Sequence, residues 1–223
     1  CSINFKFKLN MKKVLLSALA VFAFTFANAQ EESNGYKAST GNVTTELSVN
    51  GLMDNVNFNL QDQGFSNEMM FKARYFKSES VAYRGLLTIG VNSETTKMTP
   101  DDLKESTTNI GLGFGIEKHF AGTDRLSPYV GGDLLVGFNS SKVEQGSYEK
   151  KGPNGFRLGV RGVFGADYYF AKNLYLGVEA GLGIFYHNTG KTEINGTTVN
   201  DGSNRFEITP SVVGGVRVGF IMF

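Results

Sequence analysis

Tryptophan does not occur among the 223 residues, histidine occurs twice, and the single cysteine is Cys1. One cysteine cannot close a disulfide within the chain. At that position it also leaves everything after it without a thiol nucleophile or a thiolate metal ligand. The two histidines, His119 and His187, sit on separate segments and make no metal-binding set, so no metal or cofactor is expected. Charge of one sign is lacking as well: 22 Lys and Arg stand against 21 Asp and Glu, which argues against a nucleic-acid surface. Beyond the first 29 residues there is no run of ~20 apolar residues, so membrane helices are excluded.

The start of the chain is read in three pieces. Residues 1–10 read as an upstream extension or start-site artefact. Residues 11–29 read as a cleaved signal peptide: Met11, a positive Lys12-Lys13 pair, an apolar stretch from Val14 to Phe26, and the small-x-small pattern Ala27-Asn28-Ala29. The peptide is expected to direct the chain through the inner membrane and to be cleaved between Ala29 and Gln30. Without Lys6, Lys8, Lys12 and Lys13 the remainder carries 18 basic and 21 acidic residues and is long enough for one domain. Residues 30–41 form a polar leader, and residues 42–223 form the domain itself.

What that domain does have is alternation. From Asn154 to His187 the sequence places Phe156, Leu158, Val160, Phe164, Tyr168 and Phe170 on one parity and Arg157, Arg161 and Asp167 on the other. After a short Ala-Lys-Asn turn, Leu174, Leu176, Val178, Leu182, Ile184 and Tyr186 resume opposite Tyr175, Glu179 and His187. A period of two belongs to a strand whose faces meet different surroundings. Strands of soluble proteins run to about five or six residues, whereas a tilted strand crossing a bilayer needs about nine to eleven. Both limbs exceed the larger figure.

The same pattern recurs along the chain. Strands are expected at Asn42 to Leu52, Asn67 to Lys77, Val81 to Asn92, Ile110 to His119, Tyr129 to Asn139, the two limbs above, and Arg205 to the end. Loops are expected at residues 53–66, 93–106, 140–153 and 188–204. Two of these loops hold hairpin signals, Asn195-Gly196 between β-formers and Gln145-Gly146. Long and short connections alternate, as in an all-β, eight-stranded, antiparallel up-and-down transmembrane barrel. The Gly111, Gly113, Gly115 and Gly181, Gly183 runs lie inside alternating strands with no helix after them, so they are not phosphate loops.

With its export signal, eight amphipathic strands and terminal Phe223, the chain resembles the small outer-membrane β-barrel domain family of Gram-negative bacteria, which includes OmpX-like, OmpW-like and OmpA-barrel proteins. The resemblance covers essentially the whole exported chain and rests on pattern, so it speaks to fold more than to activity. It implies residence in the outer membrane among lipid and lipopolysaccharide, and a monomer. It also implies that a terminal aromatic is read by the barrel-assembly machinery. Phe220 falls on the lipid parity and Phe223 on the other, and both are candidates for that signal. The resemblance admits two alternatives to a structural or surface-interaction role: a narrow passive channel for ions or small apolar solutes, and a lipid A-modifying enzyme in which His187 would be the base beside Ser203 or Ser140.

In this architecture aromatic girdles should bracket the lipid-facing band. Tyr75, Tyr83, Phe120, Tyr168 and Phe170 are expected at the rim of the short turns, and Phe138, Phe156, Tyr186 and Phe206 at the opposite rim. The inward parity collects the bases Lys72, Arg74, Arg84, Arg157, Arg161 and Arg217 and the acids Glu46, Glu117, Asp133, Asp167, Glu179 and Glu207. Charges packed into so narrow an interior must be paired. A selective pore would show an excess of one sign, so balanced charge points to a closed lumen; no motif fixes partners for His187, whose parity is inward, so no catalytic role is expected. The two histidines, near opposite strand ends, are expected to be solvated.

Overall fold

The computed structural model describes residues 35–48 and 69–222, and secondary structure there is strand only. The signal peptide, its cleavage site at Ala29 and Gln30, and Phe223 lie outside the described residues, as do residues 49–68, which take in the end of the first expected strand, the expected loop at 53–66 and the start of the second strand. Eleven strands follow in order: β1 (Val43–Ser48), β2 (Met69–Ser78), β3 (Val81–Thr96), β4 (Leu103–His119), β5 (Leu126–Gln145), β6 (Tyr148–Lys151), β7 (Gly155–Ala171), β8 (Leu174–Thr189), β9 (Thr192–Ile194), β10 (Thr197–Asn200) and β11 (Ser203–Ile221).

Eight of them close a ring. Each pairs antiparallel with the next in the order β1, β2, β3, β4, β5, β7, β8, β11, and β11 returns to β1 through Thr44↔Ile221 to Leu47↔Val218. A closed ring leaves no unpaired edge, which is the condition for a sheet to stand in hydrocarbon. The short β6, β9 and β10 attach outside the ring and extend the sheet at the end that carries the long connections.

Three expected loops are mostly strand: residues 188–204 hold the end of β8, all of β9 and β10, and the start of β11. Residues 93–106 continue the β3–β4 ladder as far as Thr96↔Leu103, which leaves only residues 97–102 as a turn. Residues 140–153 become the end of β5, a turn at Gly146, and β6. The hairpin signals sit where the sequence puts them: Asn195 and Gly196 both have positive φ, the geometry that a tight hairpin turn demands. At the other end Asn173, with φ 63°, turns β7 into β8.

The ring sorts the side chains by parity. Facing out are Ile110, Leu112, Phe114 and Ile116 of β4, Val130, Leu134 and Phe138 of β5, Leu158, Val160 and Phe164 of β7, and Val178, Leu182 and Ile184 of β8, all exposed. So continuous an apolar surface is foreign to monomeric proteins in water. On β5 the belt runs from Leu126 to Phe138, longer than the span a tilted strand needs.

The end of the ring that carries the short turns is stopped by the chain itself. Tyr36 and Ala38, from the stretch read as a polar leader, pack on an inward cluster of Phe76, Ala82, Tyr169, Tyr175 and Ile221. The guanidinium of Arg125 lies 4.2 Å over the Tyr36 ring, and its Nη2 donates to the Tyr36 hydroxyl at 3.0 Å. Gly41 N–H donates to the Phe76 carbonyl, which fastens the segment to the start of the ring.

Candidate functional site

The alternation that turns Leu and Phe outward forces the intervening charges into the ring, where five bases and five acids meet. Like Lys72, Arg84 and Arg217, Arg74 on β2 meets three carboxylates. Its Nη1 donates to Asp167 at 2.7 Å and to Glu117 at 3.0 Å, its Nη2 lies 2.8 Å from Glu46, and its Nε donates to the Thr44 hydroxyl at 3.2 Å. Arg84 on β3 forks onto Asp133 of β5 through Nε and Nη2, while its Nη1 donates to Glu117 at 2.7 Å and Glu179 at 2.8 Å.

Arg161 on β7 shares Asp133, donating from Nη2 at 2.7 Å. Arg217 on β11 donates to Glu46 at 2.6 Å and to the Tyr129 hydroxyl at 2.7 Å. Lys72 stands between Glu46, 3.0 Å away, Glu179 at 3.5 Å and Glu117 at 3.6 Å. Nine of these ten residues are at most 5% exposed, so ion pairing has to stand in for hydration. The arrangement can hold a fixed, mutually neutralised field, and it offers no unbalanced sign to an entering ion.

Two of the twelve charges named from sequence do not join this network. Arg157 stacks 3.8 Å over the ring of Phe185, and Glu207 meets Arg205 at 2.8 Å and His187 at 3.4 Å. Phe185 stands directly opposite Glu207 and one inward position from the level of Arg157. It is 4% exposed, and a Cβ on Gly159 or Gly183 would strike its ring. Leu86 and Leu135 close over Gly113 in the same way, at 2.7 and 2.6 Å from where that Cβ would sit. These apolar side chains thus stand at the margin of the ten-charge network, on its long-hairpin side.

Sequence reasoning missed four polar members. Tyr129 donates to Glu179 at 2.8 Å and Tyr175 to Glu46 at 2.9 Å. His119, expected to be solvated, is 3% exposed, with Nε2 3.1 Å from Glu117 and Nδ1 2.9 Å from the Ser127 hydroxyl. It is buried because the inward parity of β4 carries it beneath Phe76 and Tyr129, whose rings lie 5.1 and 5.2 Å away. The signal was present in the parity: an inward Tyr or His beside buried carboxylates supplies the donors they require. Of the serines weighed for His187, Ser140 lies on the outward parity and is exposed.

The nine aromatics named for the girdles sit on the outward face. Tyr75, Tyr83, Phe120, Tyr168 and Phe170 are exposed at the end of the short turns. At the other end Phe138 packs on Phe156 and Tyr186 on Phe206, each pair with centroids 5.2 Å apart. Phe220, opposite Thr45 and Leu174, is half-buried on the outward parity. No curated protein matches the chain. The family model described as outer membrane protein beta-barrel domain matches residues 15–205. With the closed ring and its apolar exterior, that match over most of the sequence shows that the chain belongs to the outer membrane protein beta-barrel domain family.

Proposed function

We propose that this outer-membrane barrel has a structural or surface-interaction role and that its lumen is closed by paired charges, with no catalytic step. The observation that carries the reading is the ten-charge network. Its five cations and five anions reach across the ring from β1, β2, β3, β4, β5, β7, β8 and β11, and they leave no net charge to select an ion. An eight-stranded ring has room for side chains and little else. In the same reading the short turns face the periplasm and the long hairpins face outward. The two aromatic sets stand at the lipid interfaces, among phospholipid and lipopolysaccharide. The signal peptide directs export and is cleaved between Ala29 and Gln30, and the assembly machinery reads an aromatic of the last strand, Phe220 or Phe223.

Planar-bilayer recording of the refolded protein tests the closure. No steady current is expected at neutral pH. A steady open level attributable to single barrels would replace this reading with that of a narrow passive channel.

A further inference from the structure

The segment that stops the short-turn end of the ring is held differently at its two ends. Near β1 it is locked into the wall, because the Gly41 N–H donates to the Phe76 carbonyl at 2.8 Å and the Phe76 N–H to the Asn42 carbonyl at 2.9 Å. Residues 39–42 then turn it away. Asn42 Oδ1 accepts from the Ser39 N–H at 2.6 Å and from the Ser39 hydroxyl at 3.0 Å, while the Asn42 N–H donates to the Ser39 carbonyl at 3.0 Å. Gly41, at φ 89°, supplies the left-handed backbone that this turn requires.

From the turn the segment crosses the mouth. Ala38 is buried in one cluster with Phe76 of β2, Ala82 of β3, Tyr169 of β7, Tyr175 of β8 and Ile221 of β11. Tyr36 then lies under the guanidinium of Arg125, one residue before β5. Counted round the ring from β1, β5 is the fifth of eight strands, so it stands across the lumen. The six peptide steps from Asn42 to Tyr36 reach about 20 Å. Eight strands about 4.8 Å apart, tilted as in a barrel, make a ring roughly 16 Å across, so the crossing takes most of that reach.

Behind the segment stand aromatic rings, and behind those the charges. The Tyr169 and Tyr175 rings pack with centroids 5.0 Å apart. On the far side of this layer the Arg74 guanidinium lies 5.1 Å from the Tyr175 ring and 5.6 Å from the Phe76 ring, and Tyr175 donates to Glu46.

We propose that residues 36–42 are a hinged gate on the short-turn mouth, with residues 39–42 as the hinge, Ala38 as the stopper and the Tyr36–Arg125 pair as the clasp. Backbone bonds that continue the β1–β2 ladder keep the hinge in place. The clasp is a partly buried ring under a guanidinium, strong enough to hold the segment down and weak enough to open without unfolding the ring. Release bares Ala82, Tyr169 and Tyr175 to solvent and leaves the charge network standing behind them. The gate rests on the reading above only for the compartment, the periplasm, onto which it opens. Thiol labelling reports on the gate and bilayer current on the charges, so the two readings fail separately.

The chain has no cysteine after Cys1, so one thiol can be placed at will in the exported chain. Ala82→Cys puts it beneath the stopper, and Thr88→Cys puts it at a buried position on the same inward face of β3, six residues nearer the long hairpins. Labelling by a charged maleimide is timed in zwitterionic micelles, with folding of each variant checked by heat-modifiable migration on gels. Both sites should label slowly in the presence of the native clasp. Arg125→Ala should speed labelling of Ala82→Cys by roughly tenfold, Arg125→Lys should speed it much less, and Thr88→Cys should not respond. Ala38→Cys, on the stopper itself, should follow Ala82→Cys. Labelling at Ala82→Cys and Ala38→Cys that ignores Arg125→Ala overturns the gate. So does fast labelling at either site with the clasp intact, or an equal rise at Thr88→Cys, which would mean that the whole ring had loosened.

Discussion

Arg74 shows what a buried charge is worth at the scale of one residue. Its guanidinium answers Glu46, Glu117 and Asp167 together, so truncation leaves three carboxylates short of a partner where no water replaces it. Arg74→Ala should therefore cost about 3–5 kcal/mol, read as a lower midpoint in urea unfolding from lipid vesicles. Arg161→Ala is the contrast, because Arg161 is 10% exposed at its side chain and its carboxylate, Asp133, keeps the fork from Arg84. Its loss should stay within about 1.5–3 kcal/mol. Equal losses for the two would show that the number of carboxylates served does not set the cost. Period-two parity was enough to pick the ten residues that converge, because parity decides which side of a wall a side chain leaves. It does not give height along the axis. Arg157 and Glu207 share the parity of the network but stand beside Phe185 at its margin, a placement set by how the staggered strands align.

At the scale of the strand, depth in the membrane sets the cost of a charge. On β8 the outward apolar positions run from Leu174 to Tyr186, so Leu182 lies near the middle and Leu176 near the short-turn rim. Leu182→Arg should cost about 2–4 kcal/mol and Leu176→Arg no more than about 1 kcal/mol, measured as unfolding free energies in vesicles. If the two variants lose the same stability, the belt is not aligned with the bilayer as its aromatics suggest. The same boundary explains which parts of the strands were legible. Inside the belt one face meets hydrocarbon and the other meets charge, so the alternation is sharp. Beyond it both faces meet water, the alternation fades, and Thr95, Thr96, Ser106 and Ser141 read as loop although their backbones go on pairing. Only the turn residues, Asn195-Gly196 and Gln145-Gly146, kept a signal there.

The whole molecule depends on closure between the ends of the described ring. β11 pairs with β8 along most of its length and with β1 from Thr44↔Ile221 to Leu47↔Val218, and it also delivers Arg217 to Glu46 at 2.6 Å. Remove residues 203–223 and two edges, β1 and β8, open at once. In water an open edge invites aggregation. In hydrocarbon every backbone group left unpaired there costs several kcal/mol, and Glu46 is deprived of one of its cations as well. Because β1 and β11 stand far apart in sequence, the contacts between them belong among the last and slowest to form. The truncated chain should therefore insert poorly into vesicles, lack a heat-modifiable compact species on gels, and be digested by added protease where the intact barrel resists. A truncated chain that still resists protease and still migrates as a compact form would mean that seven strands can satisfy their edges without the eighth, and that ring closure is not what holds the network of charges out of reach of water.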